Sequence, residues 1–161
     1  MLTEQQTAAV WQNMLAAEMR SLYFGELATR ATSKKQWVTG SSLLLSSGAA
    51  AAFLTELPSW IASAMALVVA GLSAYCFARL DPAVVALVQL HAAWGRIHDD
   101  YESLWNHMYA DDAEQKWQAI QERERSASEL GVAAAPYKRQ MLDKWHAWVV
   151  RSHFPEETTA A

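Results

Sequence analysis

The sequence predicts an all-α fold: a transmembrane helical hairpin, an amphipathic N-terminal helix before it and a cytoplasmic helical bundle after it. Three observations carry this. Two apolar runs, Trp37 to about Leu54 and Trp60 to about Leu80, contain no charged residue before Arg79. Only Thr55, Glu56, Leu57, Pro58 and Ser59 separate them. Outside the runs, apolar residues recur at helical spacing and no stretch alternates as a strand would. Four segments are expected: residues 1–36, the hairpin 37–80, the cytoplasmic region 81–155 and a disordered tail 156–161.

The N-terminal helix starts at a capping box, Thr3 with Gln6. Val10, Trp11, Met14, Leu15, Leu22, Tyr23 and Leu27 then recur with helical period to about Ala31. Thr32 and Ser33 are expected to break or bend the helix. Each apolar run, about 18 to 21 residues, is long enough to cross a hydrocarbon core of roughly 30 Å. The short turn makes the two runs antiparallel neighbours, and Pro58 suits it because it cannot continue a helix. Arg30, Lys34 and Lys35 precede the first run and Arg79 ends the second, whereas the turn holds only Glu56. Basic residues stay on the cytoplasmic side, which places both termini there. Trp37 and Trp60 near the starts of the runs fit the interfaces. Gly40, Ser41, Ser42, Ser46, Ser47 and Gly48 weaken the first run. The competing reading is therefore a soluble bundle with a buried Ala-rich hairpin.

Asp81-Pro82 marks a helix restart or a kink. The helix that follows, to about Tyr109, carries a heptad-like row: Val84, Leu87, His91, Trp94, His98, Tyr101, Trp105 and Met108. A second row, Leu90, Trp94, Ile97, Tyr101, Leu104 and Met108, widens the apolar face. Such a face needs a partner, either the first helix or a neighbouring subunit. Leu87, His91, Trp94, His98, Tyr101 and Trp105 are the candidate assembly seam. A polar helix starts at Asp111-Asp112 and turns Trp117, Ile120, Ala127 and Leu130 inward; Gly131 is its expected stop. Pro136 opens the last helix, with Tyr137, Met141, Trp145, Trp148 and Val149 on one side and an end near His153.

Composition fits this division. The chain has 161 residues, of which 52% are apolar, and a mean hydropathy of only −0.05. That average hides an apolar middle flanked by polar ends. Residues 81–161 hold 13 acidic and 8 basic side chains. The net acidity argues against binding duplex nucleic acid. The single cysteine, Cys76, cannot form an intramolecular disulfide, as fits a cytoplasmic or inner-membrane protein. Residues 1–36 lack the basic start and short apolar core of a signal peptide, so the first run is expected to be an internal anchor.

Catalytic motifs are missing from the pattern: there is no phosphate-binding glycine loop, no paired cysteines and no nucleophile with a histidine partner. No enzyme activity, metal or other cofactor is expected. His91 and His98, seven apart with Asp99 and Asp100 following, fit register positions better than a metal site, whose ligands usually lie closer in sequence. Thr39, Ser42 and Ser46, continued by Ala49 and Phe53, form a face that can line a pore. Those hydroxyls can equally bond their own preceding carbonyls. Ala62, Ala66, Ala70, Ala74 and Ala78 repeat every fourth residue, a spacing that lets helices approach closely in lipid. That stripe packs either the hairpin on itself or one subunit on another. Lys138, Arg139, Lys144 and Trp145, with Arg96 as a weaker partner, are candidates for binding a nucleotide or oligonucleotide by charge and stacking. A solvated basic face beside core tryptophans is the plainer reading.

The order of elements over residues 1–110 resembles the SLATT family of bacterial two-transmembrane effectors. The resemblance lies in the amphipathic helix Val10–Leu27, the basic approach Arg30, Lys34 and Lys35, the tight hairpin Trp37–Leu80 and the run HAAWGRIHDDYESLW from His91 to Trp105. It implies a homo-oligomeric pore in the bacterial inner membrane, acting in phage defence. A partner enzyme would make a nucleotide signal, and the effector would then damage the membrane and stop growth. The family supplies no catalytic residues. The alternatives are a holin-like lysis protein and a membrane-tethered scaffold without a pore.

Overall fold

The computed structural model describes residues 2–46 and 59–154, and all regular structure among them is helical. Helix α1 spans Glu4–Ser46 and α2 spans Ser59–Tyr75. A π-helical turn, Cys76–Leu80, leads into α3, Asp81–Asn106. Helix α4 spans Ala113–Ala134 and α5 spans Arg139–His153. Of the expected turn 55–59, Ser59 instead opens α2, and residues 55–58 and the tail 156–161 lie outside the described residues.

The first helix begins as its capping box dictates. The Gln6 N–H donates to the Thr3 hydroxyl at 3.2 Å, and the Thr3 N–H donates to Gln6 Oε1 at 2.8 Å. Two of the orphan donors of the first turn are thereby satisfied. Thr32 and Ser33 do not end the helix, which continues through them to Ser46. The propensity deficit of two such residues is only a few tenths of a kcal/mol each, about what adjacent helix formers offset.

Asp81-Pro82 does act locally. Proline has no N–H for the carbonyl a turn earlier, and its ring crowds that carbonyl. The helix widens just before it, and the Asp81 N–H reaches the Cys76 carbonyl, the longer reach that defines a π turn.

Chain contacts define two compact units, Met1–Leu27 with Ala86–Ala161, and Ala28–Val85. The boundaries fall inside helices rather than between them. In the first unit, Val10, Met14, Ala17, Tyr23 and Phe24 of α1 are buried, as are Leu87, Leu90, Trp94, Ile97, Tyr101 and Leu104 of α3. Ile120 and Ala127 of α4 and Met141 and Val149 of α5 complete this core. A fully buried aliphatic or aromatic side chain contributes about 1.5–3 kcal/mol, so the facing rows of α1 and α3 supply most of this packing.

Of the two coverings open to the α3 seam, this chain's own α1 is the one found. Arg20 lies over the Trp94 ring at 4.5 Å, Trp11 meets Trp105 at 5.1 Å, and His98 Nδ1 lies 3.3 Å from the Met14 carbonyl. Leu87, Trp94 and Tyr101 are thus core residues of one chain. His91 keeps an exposed edge, but its Nδ1–H donates to the Ser21 carbonyl at 2.9 Å. At this crossing α1 carries Gly25, where an added Cβ would lie 3.1 Å from the His91 ring.

Later elements depart from expectation in detail. Gly131 does not stop α4, which runs to Ala134. Its lack of a side chain serves packing instead, since a Cβ there would meet Phe24 Cζ at 3.2 Å. Leu130 is exposed rather than inward, and on the last helix face Tyr137 and Trp148 are exposed while Met141 and Val149 are buried.

In the second unit, Lys35 Nζ lies 2.8 Å from Asp81 Oδ1 and Lys34 sits 5.9 Å from the centre of the Tyr75 ring. Cys76 and Leu80 are buried, and Met65, Val69 and Ser73 are half-buried. The alanine stripe lies elsewhere: Ala66, Ala70 and Ala74 are exposed. Each residue turns a helix by about 100°, so the row one residue earlier takes the inner face. The alanines therefore do not pack this unit on itself. Ala62 has no described side chain.

Candidate functional site

The candidate residues fall into two groups, one in each unit. The first is a cleft of about 490 Å³ in the second unit, lined by Lys35, Thr39, Ser42 and Leu43 from α1 and by Val69, Ser73, Cys76, Phe77 and Asp81 from the later stretch. Helical spacing puts Lys35, Thr39 and Ser42 on one face. The structure brings these pore-lining candidates together with Ser73, a hydroxyl from the other segment that the sequence pattern did not single out. Ala49, Phe53 and the Ser46 side chain lie outside the described residues.

Hydrogen bonding inside the cleft is local. The Ser42 hydroxyl donates to the Val38 carbonyl at 3.0 Å, and Ser41 on the neighbouring face donates to Trp37 at 2.8 Å. A hydroxyl used in this way keeps acceptor capacity on its oxygen. Lys35 and Asp81 close one end of the cleft as an ion pair. Their contact is short but does not have hydrogen-bond geometry. It therefore supplies charge neutralisation more than a directed bond, and at 40% and 33% side-chain exposure such a pair is worth about 0–1 kcal/mol.

The second group is the basic and aromatic set on α5. It is largely engaged inside the first unit. Glu26 Oε2 accepts from Lys144 Nζ at 2.9 Å and from the Trp145 indole N–H at 2.8 Å, and Lys144 lies 4.5 Å from the Trp145 ring centre. Arg139 pairs with Asp143 at 3.9 Å. The Lys138 backbone N–H donates to the Tyr23 hydroxyl at 3.1 Å, which in turn donates to the Pro136 carbonyl at 2.6 Å. His153 adds a 2.8 Å contact to Glu18. These bonds fasten α5 and its leading turn to α1. Lys144 and Trp145 act as structural fasteners, and Arg96, on α3, donates to its own Ala92 carbonyl at 3.3 Å. The five ligand-binding candidates do not converge on one site.

The missed partners are acids on α1. Glu18 and Glu26 stand among apolar positions of an amphipathic helix, and that placement was the available signal. The same holds for Arg20, which pairs with Glu124 at 2.8 Å. Glu124 also accepts from the Tyr101 hydroxyl at 2.9 Å. Burial first, then that hydrogen bond and the carboxylate's charge, push the Tyr101 phenol far above its ordinary range.

His98, Asp99 and Glu102 place ligand atoms within 4.8 Å of one another. His91, the residue paired with His98 in sequence, is not in this group. Both carboxylates are exposed, and a solvated acidic pair on one helix face is common without a metal.

No family model, no curated protein and no solved structure matches this chain.

Proposed function

We propose that the chain is an oligomeric membrane pore, a two-span effector of the kind the SLATT resemblance implies, whose cytoplasmic bundle receives a nucleotide-type signal or partner. In this reading residues 37–80 form an antiparallel transmembrane hairpin with both termini in the cytoplasm of a bacterial cell. One observation carries the membrane part. The stretch 63–106 is a helix long and apolar enough to cross a membrane, and only 11% of its most apolar window is buried within the chain. Leu67, Val68 and Phe77 are exposed, as are Trp37, Leu43 and Leu44 of α1. A soluble bundle hides such a helix in its core, whereas lipid is the solvent for which an exposed apolar surface is suited.

The pore part rests on chemistry. Two spans cannot enclose a channel, so several chains must surround it. Thr39 and Ser42 supply small hydroxyls for a weakly selective path. The exposed Ala66, Ala70 and Ala74 supply a close-approach face for a neighbouring hairpin. Because the α3 seam is used within the chain, we place the subunit contact on the spans. A signal shifts closed and open packings only through different affinities for the two.

Induced expression in bacteria tests the reading. Wild type should collapse membrane potential and arrest growth. The double variant Ser42→Leu, Ser46→Leu should insert equally and reduce the effect. An unchanged effect would remove that stripe from the pore. Insertion without toxicity from wild type would favour a tethered scaffold.

A further inference from the structure

The first unit contains an open cleft of about 380 Å³, lined in part by Arg20, Tyr23, Phe24, Trp94, Ser128 and Tyr137. Its size falls in the range of small-molecule sites, about 300–1,000 Å³. What separates it from a packing defect is Arg20, whose guanidinium lies over the Trp94 ring, donates to Glu124 through one of its nitrogens and keeps its side chain 37% exposed. Guanidinium carries five N–H donors in a planar fork, so one carboxylate does not exhaust it. Phe24 and Tyr23 contribute aromatic walls, with their rings 5.2 Å apart.

We infer that this cleft binds a small molecule with a planar aromatic ring and one anionic oxygen group, the ring packing among the aromatic side chains and the anion meeting Arg20. A carboxylate and a phosphate share this chemistry. The site lies wholly in the first unit and does not depend on the pore reading, because binding is measured without flux.

The test uses full-length protein in lipid nanodiscs and ¹⁹F NMR. The probes are 4-(trifluoromethyl)benzoate and 4-(trifluoromethyl)phenyl phosphate, with 4-(trifluoromethyl)benzylammonium as the same ring carrying the opposite charge. Saturable broadening beyond that with empty nanodiscs is expected for at least one anion, and the tighter of the two identifies the headgroup. The ammonium should bind at least about tenfold more weakly, given the charge-assisted contact with Arg20. Val132→Trp, at an exposed position lining the cleft, should weaken anion binding about tenfold by occupying its volume while leaving the circular dichroism spectrum intact. No saturable binding by either anion, equal binding of the ammonium, or binding unmoved by Val132→Trp would overturn the inference.

Discussion

Tyr101 is fully buried, and its hydroxyl lies between Glu124 at 2.9 Å and Asn13 at 3.4 Å. Tyr101→Phe should cost about 1–2 kcal/mol, because Glu124 loses a donor in a partly buried setting. The pH dependence is more specific. The folded phenol titrates far above its ordinary value, whereas the unfolded one ionises near pH 10. A group raised in the fold contributes fully below its unfolded value and loses that contribution as pH climbs toward the folded one. Denaturation between about pH 10 and 12 should therefore steepen in wild type and flatten in Tyr101→Phe. Equal slopes would refute the role given to Tyr101. At Glu26, replacement by Ala leaves the Trp145 N–H and Lys144 without their shared acceptor. A loss of about 1–2 kcal/mol is expected, together with faster amide exchange in α5 than in α3. Uniform exchange would show that α5 is held by packing alone.

Among the elements, the cleft between the two segments of the second unit makes a sharp prediction. Cys76 is the single native cysteine and shares that cleft with Thr39. Thr39→Cys should be joined to Cys76 within one chain by a short bifunctional thiol reagent that spans the cleft. Ser41→Cys, on the neighbouring face, should not. Crosslinking of both, or of neither, would contradict the pairing of these segments. Helix identity was readable from the sequence because strong periodic rows, a capping box and Asp81-Pro82 each have a local cause. Of the break or bend expected at Thr32–Ser33, no break occurs, because two weak helix formers cannot stop a helix that both flanks favour. Gly131 was misread as a stop because close approach to Phe24 depends on α1, more than a hundred residues earlier. Which side of α2 packs inward also escaped, since alanine at every fourth position marks a face without saying what meets it.

The whole molecule combines an acidic, hydrogen-bonded bundle with apolar helical surface that no part of the described chain covers. The basic residues of α5 illustrate what sequence alone could not decide. Charge and tryptophan on one helix suggested a nucleotide surface, and only the tertiary position of Glu18 and Glu26 revealed fasteners. The proposed pore concerns several chains in lipid. Its most direct measurement is ion flux through liposomes holding the purified full-length protein, with insertion verified by resistance to alkaline extraction. An oligomeric pore should give dye or ion release that rises more steeply than linearly with protein per vesicle. Inserted protein that releases nothing at any density, with or without candidate nucleotides, would contradict it.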